Sequence, residues 1–337
     1  MTRNVKMAVI GTGRMGSVHV RNIARSIPQA DLVALCDIRL EVAQALGDEL
    51  GIARVVKDYH ELLVDPEIEA VLIATSTPAH AAIMIDAAMA GKHIFCEKPL
   101  AMELEKIDQS LAAVEKAGVK LQVGFNRRFD KSFQHVHEIV TSGEIGRPCI
   151  LRITSRDPDL ASMEYMRVSG GIFLDMTIHD FDMARFQVGE IEEVYANGDV
   201  LIEPALKELG DIDTSVISLK FTNGAVGAID NSRRAVYGYD QRLEVFCSNG
   251  TAAANNEVED SVMKGNQAGF LSAKPPYFFM QRYALSYAEE VREFVNCIHA
   301  DKPTPTTGAD GRAAVALGYA AWKSYHEKRP IKLSEFD

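Results

Sequence analysis

Short apolar runs alternate with amphipathic stretches along the first 124 residues of the chain. The period-2 and continuous apolar runs predict strands over 5–10, 32–36, near 55, and over 70–74, 93–96 and 121–123. The stretches between them predict helices over 17–25, 40–50, 79–90 and 103–117. Strands and helices that alternate over short connections are typical of a doubly wound parallel sheet, so an α/β Rossmann-type domain is expected here.

The hydrophobic pattern changes from residue 150 onward. Strands are predicted over 150–155, 215–221, 225–231 and 243–247, and Asn223-Gly224 between two of them is a strong hairpin signal. A final helix over 309–328 has Val315, Tyr319 and Trp322 on one stripe. We therefore expect an α+β domain with a mostly antiparallel open sheet, one face of which would cover the catalytic cleft or a partner subunit. The predicted domains are 1–124 and 125–337, with a last helix that could pack back toward the first domain.

Length and charge narrow the class of function. The 337 residues are enough for two hydrophobic cores, and the formal net charge is −11. That charge opposes the phosphate backbone of nucleic acids and anionic membrane surfaces, and the longest basic block is a pair such as Arg127-Arg128. The sequence therefore predicts neither a nucleic acid nor a membrane as partner.

The N-terminus and the cysteines give an expectation of location. No apolar signal segment precedes the first strand, and the five cysteines form no C-x-x-C pair. We expect buried reduced thiols and a cytoplasmic protein. His135 and His137 would point to different faces of a polar helix, so no metal site is expected.

The first chemical motif follows the first strand directly. The residues Gly11-Thr12-Gly13-Arg14-Met15-Gly16 have the G-x-G-x-x-G spacing, in the strand–turn–helix context that the motif requires. Gly11 would permit the tight turn, Gly13 the approach of a pyrophosphate, and Gly16 close helix packing. The pattern predicts a dinucleotide at the N-terminus of this helix.

An acidic residue ends the second strand. Asp37 lies about 20 residues beyond the glycine motif, where a carboxylate can bind both ribose hydroxyls and repel a 2′-phosphate. NAD is therefore the expected cofactor. Arg39 leaves open the alternative that a 2′-phosphate is accommodated.

Two further strand ends carry candidate residues. Thr75-Ser76-Thr77-Pro78 follows the fourth strand and could pass beneath the dinucleotide or form a plain turn before the next helix. Lys98 follows the fifth strand in Cys96-Glu97-Lys98-Pro99-Leu100, and Pro99 favours an extended Lys98 at the rim where ligands bind. A lysine there could stabilise an alkoxide, or could be a solvated strand terminus.

The most informative run is Gly170 to Asp180, which places Asp175 and His179 four residues apart behind a glycine pair. If this segment is one helix, both side chains share a face. Histidine is suited to proton transfer near neutral pH, and a neighbouring carboxylate can orient it. A capping or surface arrangement of the two side chains is the alternative.

Together these motifs resemble the glucose-fructose oxidoreductase, inositol dehydrogenase and rhizopine-catabolism (Gfo/Idh/MocA) family along nearly the whole chain. The marks are the glycine motif, Glu97-Lys98-Pro99, the Gly170 to Asp180 block and Thr307-Gly308-Ala309-Asp310-Gly311. Within the family, the Gly170 block and the run Tyr237 to Arg242 are most similar to the inositol 2-dehydrogenases.

The resemblance implies a catalytic set of Lys98, Asp175 and His179, with His179 as general base and a cyclic polyol or sugar as substrate. The expected cofactor contacts are Gly11, Thr12, Gly13, Arg14, Met15, Gly16, Asp37, Ile38, Arg39, Thr75, Ser76, Thr77, Pro78, His80, Glu97 and Lys98. The expected substrate contacts, each with a structural alternative, are Asn126, Arg127, Asp157, Tyr239 and Tyr283, beside the catalytic set. Family members are commonly tetramers or dimers that pair their open sheets. An aldohexose dehydrogenase and a non-catalytic dinucleotide sensor are the alternatives.

Overall fold

The computed structural model describes residues 3–336, which form two compact units. The first unit comprises the chain up to Phe129 together with Leu285–Ala313, and the second comprises Asp130–Ala284 and the chain from Ala314 onward. The predicted domains were 1–124 and 125–337, with a last helix that could pack back toward the first domain. The return of residues 285–307 to the first unit was not predicted, and the domain boundary stays a prediction.

The first unit is an open parallel sheet with helices. Its elements in chain order are β1 (Val5–Ile10), α1 (Arg14–Ser26), β2 (Ala30–Cys36), α2 (Leu40–Leu50), β3 (Val55–Val56), α3 (His60–Leu63), β4 (Ala70–Ile73), α4 (Thr77–Met89), β5 (His93–Glu97), α5 (Leu104–Ala117), β6 (Leu121–Gly124) and a 3₁₀ turn (Asn126–Phe129). The six strands are all parallel in the order β3-β2-β1-β4-β5-β6. The predicted doubly wound sheet is confirmed.

The core of this unit explains why the chain returns to it. Helix α11 (Ala284–Ala300) buries Val291, Phe294 and Val295 in the same apolar cluster as Met7 and Phe95 of the sheet. The rings of Phe95 and Phe294 meet edge to face with centroids 5.9 Å apart. Helix α11 therefore completes a face of the parallel sheet, as such sheets require cover on both sides.

The segment after α11 extends along the edge strand β6. The backbone N–H of Val123 donates to Thr306 O at 3.0 Å. The hydroxyls of Thr304 and Thr306 donate to the carbonyls of Leu121 and Val123. The edge of the sheet at β6 is thus covered by this segment, which is hydrogen-bonded to it.

The second unit contains the other sheet and the remaining helices. Its elements are α6 (Lys131–Ser142), β7 (Pro148–Arg156), α7 (Met163–Met166), α8 (Ile172–Asp175), α9 (Ile178–Val188), β8 (Ile191–Asp199), a 3₁₀ helix (Pro204–Leu209), β9 (Thr214–Phe221), β10 (Val226–Ser232), β11 (Asp240–Cys247), β12 (Gly250–Ala254), β13 (Met263–Asn266), β14 (Gly269–Ser272), α10 (Phe279–Arg282), α12 (Gly308–Glu327, in this unit from Ala314), β15 (Ile331–Lys332) and a last 3₁₀ turn (Leu333–Phe336).

Its main sheet has the order β12-β11-β7-β10-β9-β8-β15, and only the pair β7 and β10 is parallel. The predicted mostly antiparallel sheet is confirmed. The hairpin at Asn223-Gly224 joins β9 to β10, where Gly224 has φ +88° and Phe221 N donates to Ala225 O at 2.9 Å. A positive φ is the reason that glycine suits this position.

The two faces of this sheet differ. Helices α6 and α9 pack on its strands, and buried and exposed residues alternate along β9. The opposite face exposes the apolar side chains of Ile150, Val216, Val226 and Phe246, each between 37% and 53% exposed. An apolar row of this kind marks a surface suited to association.

The last helix is close to its predicted bounds. Val315 is buried, and Tyr319 and Trp322 are half-buried. The buried stripe consists mainly of smaller residues that the apolar spacing did not single out, namely Ala314, Leu317, Ala320 and Ala321.

Asp213, directly before β9, anchors the loop that precedes it. Its buried carboxylate accepts the backbone N–H groups of Leu201, Ile202 and Glu203 at 2.9, 2.8 and 2.8 Å, and the Thr214 hydroxyl at 2.9 Å. Burial by itself raises the pKa of Asp213, but these donors outweigh it and hold the pKa below the ordinary value. The carboxylate is thus a stabilising group that must stay ionised.

We expect Asp213→Asn to lower the free energy of unfolding by about 2 kcal/mol at pH 7, because the amide presents donors to backbone donors. A depressed folded pKa gives stability that is present above the unfolded pKa and is lost as pH falls through the folded pKa. The gap in melting temperature between Asp213→Asn and the unmodified protein should therefore narrow below about pH 4. Thermal melts from pH 3 to 8 check this, with the exposed Asp260→Asn as control; a gap independent of pH would contradict it.

Candidate active site

The glycine turn has no room for side chains at two of its positions. Gly11 has φ +93°, and a Cβ there would lie 2.6 Å from Ala74 O. A Cβ on Gly16 would lie 1.9 Å from Gly11 O, since the first turn of α1 packs directly on the glycine turn. These are the roles expected of the first and third glycines.

The middle glycine is different, because nothing lies within 4 Å of a Cβ built on Gly13. Gly13 is the N-cap of α1, which begins at Arg14 and so earlier than predicted. No side chain caps the helix, and its first turn contains no acidic residue. The N–H groups at this helix end are therefore available to an anion, as a pyrophosphate site requires.

Asp37 holds the glycine turn as well as marking the end of β2. Its Oδ2 accepts Thr12 N at 2.7 Å and Thr12 Oγ1 at 2.9 Å, and its Oδ1 accepts Arg39 N at 2.9 Å. Burial alone raises the pKa of Asp37, but these donors and the Arg39 charge lower it overall, so the group is an anion at neutral pH. The sequence predicted that Asp37 contacts a ribose, but it did not predict these hydrogen bonds to the glycine turn and to Arg39. Ile38 is 80% exposed, and the Arg39 guanidinium lies 3.9 Å from Asp37.

The segment after β4 leads into α4, which begins at Thr77 with Ser76 as N-cap. His80 of this helix is buried, with Nδ1 2.8 Å from Pro99 O and Nε2 3.1 Å from Thr75 O. Burial lowers the pKa of His80 more than these carbonyls raise it. The ring thus joins the end of β4 to the chain beyond Lys98, and a direct cofactor contact of His80 stays a prediction.

Lys98 follows β5 and is half-buried, and its peptide bond to Pro99 is cis. Because β1, β4 and β5 are neighbouring parallel strands, Lys98 lies at the same carboxyl edge as the glycine turn and Thr75. The adjacent Glu97 is buried with its Oε1 2.6 Å from His19 Nε2. The cofactor contact of Glu97 stays a prediction, whereas its pairing with His19 was not predicted.

The turn after β6 adds two polar side chains at the same edge. Asn126 and Arg127 are 1% and 5% exposed. The Nδ2 of Asn126 is buried and has no hydrogen-bond partner within residues 3–336. An unsatisfied buried amide of this kind is suited to a polar ligand.

The segment that contains Asp175 and His179, in the second unit, is not one helix. Helix α8 ends at Asp175 and α9 begins at Ile178. Between them Thr177 N donates to Ile172 O, five residues back, and His179 N donates to Met176 O at 3.4 Å. The regular i to i−4 hydrogen bonds of a single helix are therefore interrupted between Asp175 and His179. The two residues belong to separate helices, so the helical spacing that predicted a shared face does not apply.

Asp175 is held by residues that the sequence did not single out. Its Oδ1 accepts the Tyr165 hydroxyl at 2.7 Å, and its Oδ2 lies 3.3 Å from Arg233 Nη1. Arg233 is 2% exposed, and its Nη2 lies 3.3 Å from Oδ2 of Asp211, whose Oδ1 accepts Ile172 N at 2.9 Å. A buried arginine thus balances and orients the carboxylate. The pair Arg233-Arg234 at the end of β10 was the available signal, but such pairs are usually solvated.

The other predicted substrate residues are mainly packed against protein. Tyr239 and Tyr283 are 5% and 1% exposed and meet at 89° with ring centroids 5.9 Å apart. The backbone of half-buried Asp157 pairs with Ser232 and Ala235 at 2.9 and 2.6 Å. These contacts are structural, and substrate contact of the three residues stays a prediction.

The cysteines, the possible metal ligands and the helices were also subjects of prediction. All five cysteines are unbridged, and only Cys149 is not buried. The one group within residues 3–336 with the spacing of metal ligands is His19, Glu97 and Glu290, whereas His135 is exposed and His137 stacks on Phe186. The expectation of no metal stays a prediction. None of the helices in this part of the chain combines the length and apolarity needed to cross a bilayer.

Two family profiles match the chain. The profile described as an oxidoreductase family with an NAD-binding Rossmann fold matches residues 5–125, and the GFO/IDH/MocA C-terminal domain matches residues 133–253. The predicted NAD-dependent oxidoreductase is thereby confirmed at the level of family and cofactor.

Full-length relatives agree with the profiles. The chain is 48% identical over 332 residues to myo-inositol 2-dehydrogenase of Thermotoga maritima, covering 98% of this chain and 99% of the relative. It is 35% identical to scyllo-inositol 2-dehydrogenase (NAD(+)) of Bacillus subtilis, covering 99% and 97%. The crystal structure of Lactobacillus casei scyllo-inositol dehydrogenase with NAD(H) and scyllo-inositol superposes with a TM-score of 0.92 at 28% identity, covering 98% and 100%. With its glycine turn, its strand-end lysine and both domain profiles, the chain belongs to the Gfo/Idh/MocA family of oxidoreductases.

Proposed function

We propose that this chain oxidises a ring hydroxyl of myo- or scyllo-inositol to the ketone, with NAD as hydride acceptor. The observation that carries the proposal is the near full-length match to inositol dehydrogenases in a chain that retains Lys98, Asp175 and His179. Two further observations support the proposal. Arg233 fixes the Asp175 carboxylate, and Lys98 lies at the carboxyl edge of the parallel sheet, where ligands bind.

The residues of the first unit fit a bound NAD. The uncapped start of α1 and the open space at Gly13 suit a pyrophosphate. The ionised Asp37 suits ribose hydroxyls, while Thr75 to Pro78 and Glu97 stand at the same sheet edge. When bound, the nicotinamide supplies the hydride-accepting carbon.

The chain's own residues would handle the proton and the charge. His179 takes the proton of the reacting hydroxyl, because an imidazole exchanges protons near neutral pH. The Lys98 ammonium stabilises the negative charge that develops on that oxygen. Asp175, fixed by Arg233 and Tyr165, orients the imidazole or an adjacent substrate hydroxyl.

Recognition of the remaining hydroxyls is assigned to Asn126, Arg127, Asp157, Tyr239 and Tyr283. Asn126 has the strongest support, because its buried amide nitrogen lacks a hydrogen-bond partner within the described chain. The tight packing of the tyrosines supports a substrate role less well.

We further propose a cytoplasmic homotetramer. The unbridged cysteines support a reducing compartment. The apolar row of Ile150, Val216, Val226 and Phe246 supports association through the open face of the second sheet.

Initial rates of NADH formation with myo-inositol, scyllo-inositol, D-glucose and other hexoses test the substrate assignment. We expect the highest kcat/KM with an inositol, because the relatives named above are inositol dehydrogenases. A higher value with an aldohexose would favour the sugar dehydrogenase, and tight NAD binding without turnover of any of them would favour the sensor.

Lys98→Ala and His179→Ala should each lower kcat at least about 10²-fold, since each removes a group that acts on the reacting oxygen. The dissociation constant of NAD, measured by calorimetry, should change little. Lys106→Ala and His135→Ala, at exposed positions of the same residue types, serve as controls. Near-normal turnover of both test variants would refute the assigned roles.

Asp37→Ser should reduce the preference for NAD over NADP, because the anion that repels a 2′-phosphate is lost. Since Asp37 also binds Thr12 and Arg39, we expect KM for NAD to rise as well. Steady-state kinetics with both cofactors measure the ratio, and a preference for NADP in the unmodified enzyme would contradict this role of Asp37.

A further inference from the structure

A buried polar cluster lies behind Lys98 in the first unit. It consists of His19 on α1, Glu97 on β5 and Glu290 on α11. His19 Nε2 lies 2.6 Å from Glu97 Oε1 and 4.0 Å from Glu290 Oε1, and the three side chains are 0%, 9% and 0% exposed. Nothing in the proposed mechanism uses His19 or Glu290.

Glu97 connects this cluster to Lys98. Its Oε2 accepts the backbone N–H of Lys98 at 3.2 Å, while its Oε1 faces His19. A Cβ on Gly124 would lie 2.9 Å from Glu97 Oε2, so β6 closes the remaining side of the carboxylate. Glu97 is thus held by groups of the protein at both oxygens.

The ring of His19 is fixed by aromatic neighbours. It meets Phe95 at 5.4 Å and Tyr287 at 6.0 Å between centroids, edge to face in both cases. Donation to Glu97 requires the proton on Nε2, and Nδ1 is buried without a hydrogen-bond partner within residues 3–336. His19 therefore has one polar contact to make, and that contact is the Glu97 carboxylate.

Glu290 differs from Glu97, since neither of its carboxyl oxygens has a hydrogen-bond partner within the described chain. The neighbouring Gln122 donates to the backbone carbonyl of Glu290, not to its side chain. Complete burial, followed by the charge of Glu97, raises the pKa of Glu290 well above its ordinary value. The charge of Glu97 also acts on two other titratable groups, Cys96 and His80. Burial and the lack of partners thus favour the protonated form of Glu290.

We propose that His19 is a positioning residue for Lys98. His19 acts by fixing the Glu97 carboxylate, which in turn binds the backbone N–H of Lys98. His80, bonded to Pro99 O, holds the chain on the other side of Lys98. This inference rests on the proposed role of Lys98 in catalysis.

The short contact favours this arrangement over a metal site. A tetrahedral cation with ligands at about 2.0–2.1 Å would hold two donor atoms about 3.3 Å apart. The 2.6 Å between His19 Nε2 and Glu97 Oε1 is the separation of a hydrogen bond.

The first experiment compares His19→Leu, which removes the donor, with His19→Gln, which keeps an N–H donor at a similar reach. We expect His19→Leu to lower kcat about tenfold or more while KM for inositol and the NAD dissociation constant change less than about threefold, and His19→Gln to restore most of kcat. In a Glu97→Gln background, His19→Leu should have little further effect, because the two residues act as one unit. Thr304→Val, which removes a buried hydrogen bond elsewhere in this unit, should lower the melting temperature without this loss of kcat.

A readout without turnover separates this inference from the proposed function. With ¹⁵N-lysine labelling, the Lys98 amide resonance, assigned by its loss in Lys98→Arg, should shift in His19→Leu and return toward its position in His19→Gln. An unmoved resonance overturns the inference even if the enzyme oxidises inositol. A shifted resonance in an enzyme inactive on all polyols leaves the positioning intact and refutes the proposed function. Loss of NAD affinity in proportion to kcat, or a stoichiometric divalent metal that His19→Leu removes, also overturns it.

Glu290→Gln tests the neutral acid. An acid whose folded pKa is raised loses stability as pH rises from its unfolded pKa toward the folded one, and a glutamine does not. The melting temperature of Glu290→Gln relative to the unmodified protein should therefore rise by about 1–2 °C per pH unit between pH 5 and 8. A difference that stays constant over this range would show that Glu290 does not hold the proton and would overturn this part of the inference.

Discussion

The contact between the glycine turn and the first helix is the constraint on which the cofactor half of this protein depends. With the carbonyl of Gly11 only 1.9 Å from where a Cβ on Gly16 would be, α1 lies against the turn with no side chain between them. This contact sets the helix end at the carboxyl edge of β1, where Asp37 ties the turn to β2 through Thr12. The adjacent strands β4 and β5 then bring Thr75 and Lys98 to the same edge.

The candidate site residues are held in different ways in the two units. In the first, the lysine backbone is held by hydrogen bonds to groups on neighbouring strands and helices, including Glu97 and His80. In the second, Asp175 is the last residue of α8 and His179 lies in the first turn of α9, and the Asp175 carboxylate is paired with the buried Arg233. Positions at element ends allow side chains to leave the regular repeat, which suits the roles proposed for Asp175 and His179.

Local patterns predicted the elements of the first sheet and four strands of the second. They missed β8 and α11, and they did not reveal the long-range contacts. The strands of the first sheet, the hairpin at Asn223-Gly224 and the glycine turn were predictable because their signals lie within a few residues of one another. The break after Asp175 was not, because it involves a bond from Thr177 back to Ile172 and another from the Thr177 hydroxyl to Asn231 on a distant strand. For the same reason neither Arg233 beside Asp175 nor His19 beside Glu97 could be found by spacing.

The return of residues 285–313 to the first unit bears on how the protein is made. Val291, Phe294 and Val295 belong to the core of a sheet whose strands are all complete by residue 124. During synthesis that sheet therefore leaves the ribosome with one apolar face only partly covered, and residues 130–284 of the second unit are translated before helix α11 emerges. Completion of the core of the N-terminal region must then wait for about the last sixth of synthesis, and the uncovered part of this face is the surface that a chaperone would have to shield in the interval.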